Sequence, residues 1–232
     1  MRAIVFDLDG TLVDSAPDIG RCLNRTLAAG GRSALALAAV KLMIGDGARR
    51  LVASAFAATG AALDEAGLAR HYAHFLAAYE GPAAVELTRP YPGVVETLKH
   101  LAGEGFTLGL CTNKPAGATA DVLERLALAG YFAAVVTPEA VAAAKPAAAH
   151  LLAVLAALDA APAEAVMVGD NANDVAVARA AGTAVVAVSY GYPRMAPEAL
   201  GADLLIDRMT ELPAALARLP ARHASSRARR LS

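Results

Sequence analysis

Short apolar runs alternate with amphipathic stretches along most of this chain, and one region breaks the alternation. Ala3 to Phe6 is a β-rich run that stops at a Gly10-Thr11 turn, the pattern of a short buried strand. Phe106 to Thr112, Phe132 to Thr137, Ala165 to Val168, Ala184 to Val188 and Leu204 to Ile206 repeat that pattern. Between them, helix signals cover Pro92-Gly93 through Ala102, Ala116 to Ala127, Pro146 to Leu158, Asn173 to Ala181 and Glu211 to Leu219. Buried strands alternating with helices predict an α/β fold, a parallel sheet covered on both faces and joined by right-handed crossovers. From about Pro17 to Tyr79 helix signals run without convincing strands. Pro17-Asp18 opens a helix ending at Gly30-Gly31, Asp46-Gly47 precedes one reaching Ala58, and Asp64-Glu65 opens a third that closes at Gly81-Pro82. The first strand belongs with the later ones, so this region reads as a helical insertion that leaves the sheet and returns to it. The expected organisation is an α/β core over 1–15 and 83–220, a helical cap over 16–82 and a basic tail over 221–232. The alanine-rich stretches 34–39 and 140–149 carry helix propensity rather than disorder.

Composition then narrows the class. With 232 residues the chain can bury a large core. Its 56% apolar content looks membrane-like at first. Much of the excess is alanine, and no stretch approaches the roughly eighteen consecutive strongly apolar residues that a spanning helix requires. Residues 1–15 carry aspartates where a signal peptide has a basic start and an apolar run, so a soluble, cytoplasmic protein is expected. A net charge of −1 supplies no field to attract nucleic acid or a membrane surface. Arg222, His223, Arg227, Arg229 and Arg230 make the tail basic, which reads as a solvated terminus. Cys22 and Cys111 are too few and too distant for a disulfide framework, and no Cys/His spacing suggests zinc. His71 and His74, three apart on a helix, read as surface residues. Either a monomer or a homodimer fits.

The chemistry gathers at the strand ends, where open parallel sheets bind ligands. Side chains alternate along a strand, so Asp7 and Asp9 are expected on one side while Leu8 points into the core. Two such carboxylates persist together only with a metal, a shared proton or solvent to offset their repulsion. The second strand ends in Thr112, Asn113 and Lys114, Lys145-Pro146 follows the third, and the fourth ends in Asp170, Asn171, Asn173 and Asp174. Taken singly, each has a plain structural use: an acidic turn, a helix cap at Thr112-Asn113, a surface lysine, acids at a helix start. Taken together and in chain order, they place up to four carboxylates, a hydroxyl, an amide and an ammonium in one pocket. An oxygen-only acidic site suits Mg²⁺, and the other groups suit phosphate oxygens. Phosphoryl transfer needs little beyond positioning and charge neutralisation, which these parts supply.

Over residues 2–219 the chain resembles the haloacid dehalogenase superfamily of phosphohydrolases, in the branch with a small helical cap that includes phosphoglycolate phosphatases. Asp7-Leu8-Asp9-Gly10-Thr11-Leu12 is similar to that family's first motif, Thr112-Asn113 to its second, Lys145-Pro146 to its third, and Gly169-Asp170 through Asn173-Asp174 to its fourth. The resemblance implies a Rossmann-like core, Mg²⁺, and a small phosphorylated metabolite as partner. It also implies Asp7 as nucleophile and Asp9 as acid and base. Mg²⁺ would be held by Asp7, the Asp9 main-chain carbonyl and Asp170, with Asp174 in support. Thr112 and Asn113 would bind the phosphoryl group, and Lys145 would offset its charge. The loop Ile44 to Arg50 looks like the cap loop that faces the site, and Arg49 or Arg50 is expected on a substrate carboxylate, as in 2-phosphoglycolate. A phosphomutase on a sugar phosphate and a non-catalytic phosphate-binding scaffold are the alternatives. Alanines flank Lys145, Glu139 stands where a Gly-Asp type turn is usual, and Asn171-Ala172 replaces Ser and a larger polar residue, so a thinner hydrogen-bond shell around the site is expected.

Overall fold

A computed structural model describes residues 1–81 and 84–219. The basic tail therefore lies outside the described residues, as does the boundary expected at 82/83. Six parallel strands form one sheet in the order β5-β4-β1-β6-β7-β8. They are β1 (Ala3–Phe6), β4 (Thr107–Cys111), β5 (Ala134–Val136), β6 (Ala165–Gly169), β7 (Ala184–Val188) and β8 (Leu204–Ile206). β1 lies in the interior of the sheet because it is apolar at every position and buried on both faces. Its alternate residues serve two cores: Ile4 and Phe6 join Leu108, Leu110, Val166 and Val168 on one face. Ala3 and Val5 join Cys111, Met167 and Val185 on the other. Fully burying a side chain such as Ile4 or Phe6 contributes about 1.5–3 kcal/mol, which is why this strand anchors the residue that follows it. Helices α5 (Val94–Gly103), α6 (Ala116–Arg125), α7 (Ala148–Ala157), α8 (Ala172–Ala181) and α9 (Leu212–Arg218) connect and cover the strands.

After β1 the chain makes a two-residue strand β2 (Val13–Asp14) that pairs antiparallel with β3 (Arg89–Pro90). This ribbon, too short for any periodicity to reveal, joins the chain leaving the sheet to the chain returning. Between its strands lie α1 (Ala16–Ala29), α2 (Leu37–Lys41), α3 (Ala48–Ala58) and α4 (Glu65–Tyr79), with an apolar cluster of their own that includes Leu23, Leu27, Val52, Phe56 and Phe75. Only part of the alanine-rich 34–39 stretch becomes helical, as α2, and of 140–149 the last two residues open α7. The Asp18 carboxylate at the start of α1 accepts hydrogen bonds from the Leu87 and Thr88 main-chain N–H groups at 2.8 and 2.7 Å and from the Thr88 hydroxyl at 2.7 Å, tying the returning segment to α1. Cys22 and Cys111 are separate buried thiols. His74 is exposed, but His71 is half-buried against the Phe56 ring, with centroids 4.4 Å apart. None of the helices among the described residues is long and apolar enough to cross a membrane.

Candidate active site

Three carboxylates and one ammonium meet at the carboxyl end of the sheet. Asp7 follows β1 directly, and its N–H still donates to the Val168 carbonyl of β6 at 2.9 Å. Its carboxylate lies 2.8 Å from the Lys145 ammonium, which is 2.7 Å from Asp174 in turn. Asp7, Asp170 and Asp174 each bring a carboxylate oxygen within 4.8 Å of the others, and all three side chains are buried. Burial pushes the Asp7 carboxyl well above the usual carboxylate range, Lys145 opposes that, and Asp174 and Asp170 add to it. Asp170 is raised by burial and by Asp174. Burial works against the Lys145 charge, but Asp174 and Asp7 hold the ammonium above the ordinary lysine value. One lysine among three buried acids leaves excess negative charge, and the donors are hard oxygens with no nitrogen or sulfur among them. That set fits a divalent cation of the Mg²⁺ kind.

The local chain explains how the acids hold their positions. Asp170 accepts from the Thr11 hydroxyl at 3.2 Å and from the Tyr192 N–H at 2.8 Å. Two glycines make room for it: a Cβ on Gly10, whose φ is +87°, or on Gly191 would sit 2.4 Å from an Asp170 oxygen. Asp174 is the third residue of α8 and accepts from the Asp170 and Asn171 N–H groups at 3.1 and 3.2 Å. Asn171 completes a capping box with Asp174 and accepts from the Asn173 N–H at 2.9 Å. Both Asp174 oxygens are thus engaged, one by Lys145 and one by the main chain. Asn171, a departure from the family pattern, is the N-cap that fixes this turn.

Asp9 stands apart from the acidic cluster, held by the Ser15 hydroxyl at 2.6 Å and by the Lys114 ammonium at 3.0 and 3.3 Å. Even so, Asp7 and Asp9 line one small cavity of about 40 Å³ with Thr112, Asn113 and Lys114. The Thr112 hydroxyl accepts from the Lys114 N–H at 3.2 Å. Asn113 donates its amide to the carbonyls of Gly45 and Lys145, at 2.9 and 3.0 Å, while its buried Oδ1 has no hydrogen-bond partner among the described residues. Arg49 is elsewhere: it pairs with Glu65, is about half exposed, and lines a neighbouring cavity of about 210 Å³ together with Lys145 and Asn113. Arg50 pairs with Asp46 at 3.6 Å.

Three supports escaped the reading of the sequence. His150 is fully buried; its Nδ1 accepts from the Lys145 N–H at 3.0 Å and its Nε2 donates to the Val136 carbonyl at 3.1 Å. It fixes the chain behind Lys145 where the alanines cannot, and its spacing five residues after Lys145 was the available signal. The Tyr192 hydroxyl accepts from the Ser15 and Ala16 N–H groups at 2.7 and 2.9 Å, while its own N–H holds Asp170, so it links α1 to the acidic cluster. Lys114, next to Asn113, was in view in the sequence but had no assigned part.

A buried carboxylate at a strand end, an ammonium 2.8 Å from it and two further buried acids beside it can accommodate a divalent cation and the negative charge of a phosphoryl group. The profile of haloacid dehalogenase-like hydrolases matches residues 1–182, and the chain belongs to that family. It is 42% identical over 212 residues to a phosphoglycolate phosphatase of Caulobacter vibrioides, covering 91% of this chain and 89% of that one. A phosphoglycolate phosphatase of Rhodospirillum rubrum is 44% identical over 215 residues, with 91% and 89% covered. Among solved structures, one described as a predicted phosphoglycolate phosphatase from Haemophilus somnus superposes with a TM-score of 0.87 at 28% identity, covering 93% of this chain and 98% of that one.

Proposed function

We propose that this protein is a Mg²⁺-dependent phosphatase of a small phosphomonoester, and that 2-phosphoglycolate, giving glycolate and phosphate, is its substrate. The observation that carries the reading is Asp7, buried at a strand end with Lys145 at 2.8 Å and Asp170 and Asp174 beside it. Asp7, the Asp9 main-chain carbonyl and Asp170 would hold the Mg²⁺. Asp174, both of whose oxygens are already engaged, supports the site through Lys145 and the Asp170 turn. When bound, the cation would supply charge neutralisation at the transferring phosphoryl group.

Asp7 attacks phosphorus and forms an aspartyl-phosphate. Lys145 holds the Asp7 carboxylate in place and offsets the negative charge brought in by the phosphoryl oxygens. Asp9 gives its proton to the departing alkoxide of glycolate and then takes one from the water that opens the acyl phosphate. Thr112 and Asn113 stand against the phosphoryl group. Arg49, lining the larger neighbouring cavity, meets the incoming anion. Residues 16–82 act as a cap over the core of 1–15 and 83–220. Supporting that role, the loop before α3 is held over the site by Asn113 and Asn173, whose amides donate to the Gly45 carbonyl at 2.9 and 3.2 Å. Arg194 pairs with Asp46 of the same loop at 2.7 Å. The reaction needs neither nucleic acid nor membrane, and a cytoplasmic monomer or homodimer suffices for it.

Phosphate release from a panel of phosphorylated metabolites, with and without Mg²⁺, tests the reading. Asp7→Asn is expected to lower kcat by at least about 10³-fold, because no nucleophile of comparable strength replaces it. Turnover that persists in that variant overturns the assignment. An isomerised sugar phosphate with little free phosphate would mark a mutase instead, and binding without turnover a scaffold.

A further inference from the structure

Phosphoryl and proton transfer as described give Lys114 one task, holding Asp9. Yet its side chain is only 1% exposed, and an ammonium is costly to bury unless anions and hydrogen bonds compensate. Among the described residues its partners are the Asp9 carboxylate and the Tyr79 hydroxyl at the end of α4, whose ring centroid lies 4.4 Å from Nζ. An ammonium carries three N–H donors; Asp9 takes them through both oxygens, at 3.0 and 3.3 Å, together with the Tyr79 hydroxyl, so an incoming anion would share the ammonium with Asp9 at the longer of those contacts. Lys114 is also the only cationic residue lining the cavity that holds Asp7 and Asp9. The helical insertion brings no charged side chain to this lining: Ile19, Ile44, Ala48 and Leu51 are apolar, and the Tyr79 hydroxyl is already engaged by Lys114. Asp7 itself lines this cavity, whereas the neighbouring one is lined by Lys145 and Asn113 and not by Asp7, so a substrate whose phosphoryl group meets Asp7 has room for its other end here. If that end is a carboxylate, an apolar wall cannot compensate it, and Lys114 can. Arg49 is poorly placed for the same task, being half exposed, paired with Glu65 and lining the neighbouring cavity.

We propose that Lys114, oriented by Tyr79, is the specificity-determining residue that binds a carboxylate at the non-reacting end of the substrate. The same ammonium holds Asp9, so the substrate carboxylate and Asp9 come to share it. A substrate with no carboxylate leaves Asp9 bound to Lys114 alone, and its loss should appear in kcat as well as in KM. The inference rests on the phosphatase reading and refines it, because it assigns substrate choice to a junction between core and insertion.

The test compares 2-phosphoglycolate with 2-hydroxyethyl phosphate, which keeps the phosphate ester and replaces the carboxylate by an alcohol. The readout is the ratio of the two kcat/KM values on one preparation, from which any loss of folded protein cancels. The full chain with Mg²⁺ should favour 2-phosphoglycolate by on the order of 100-fold, since a site built around a charged group rejects an analogue that lacks it. Lys114→Met should bring the ratio to within about fivefold of unity, although rates on both substrates fall as Asp9 loses its partner. Lys114→Arg, which keeps a cation, should restore part of the preference, and Tyr79→Phe should weaken it less than Lys114→Met. A strong preference that survives Lys114→Met overturns the inference and leaves the phosphatase reading intact. So does a preference abolished by Arg49→Ala and not by Lys114→Met. A wild-type ratio near unity, with ready turnover of an aryl phosphate, removes the carboxylate substrate itself and with it both statements.

Discussion

His150 shows how much of this site depends on a side chain that touches no substrate. Burial pushes its imidazole down to about 4, with the Val136 carbonyl partly opposing and Lys145 reinforcing the shift. The neutral ring is the form that fits, because Nδ1 has to accept the Lys145 N–H. A histidine with a lowered folded-state pKa is protonated first in the unfolded chain, so the unfolded state binds more protons between about pH 6.5 and 4. Its contribution to stability is complete above about pH 6.5 and declines as pH falls towards 4, at up to about 1.4 kcal/mol per pH unit. Urea midpoints measured across that range should show the decline in the wild-type protein. His150→Asn should flatten it, and an unchanged slope would place the proton elsewhere. The same variant should lose about 10- to 100-fold in activity, as expected when a group that orients a site residue is removed. Alanines around Lys145 pointed to a thin support shell; the support is present, but it reaches Lys145 through the main chain.

At the scale of elements, the junction between insertion and core is made by pieces with little signal of their own. The β2–β3 ribbon has two residues per strand, and its register is fixed by neighbours rather than by pattern. Asp18 does much of the joining. Burial alone would raise its carboxyl, but the Thr88 hydroxyl, the Leu87 and Thr88 N–H groups and Arg21 outweigh burial and bring it below the usual value. A lowered carboxyl stabilises the fold above its ordinary unfolded-state pKa, and that stabilisation is lost as pH falls through the folded-state value. Asp18→Ala leaves three donors unmatched, at an expected cost of about 2–4 kcal/mol in denaturant unfolding. A loss below about 0.5 kcal/mol would mean that the ribbon holds without it. The long, periodic helices α1, α3 and α4 were legible in the sequence to within a few residues, since an apolar stripe has to face a core wherever that core lies. The short α2 was not, because alanine propensity alone sets neither its start nor its end.

For the whole molecule, the acidic cluster makes stability and metal binding one measurement. Asp7, Asp170 and Asp174 repel one another in the folded chain far more than in the unfolded one, so a divalent cation should bind the folded state preferentially. Mg²⁺ at about 100 times its Kd should add about 2.7 kcal/mol, raising Tm by roughly 5–10 °C for a chain of this size. Asp170→Asn should abolish most of that rise, and a wild-type Tm that ignores Mg²⁺ would end the metal assignment. The sequence by itself determined the parallel sheet, the helical insertion, the strand ends bearing Asp7, Thr112-Asn113 and Asp170, and the place of Lys145 ahead of the helix that follows the third strand, because hydrophobic period and chain order are local quantities. Only the tertiary structure decided that Lys114 leaves the surface to sit between Asp9 and Tyr79, that Arg49 turns to Glu65, and that His150 and Tyr192 brace the site. Those contacts join residues far apart in the chain or near neighbours turned inward by the fold. Burial, which assigns each charge its partner, exists only once the sheet and the insertion have closed on one another.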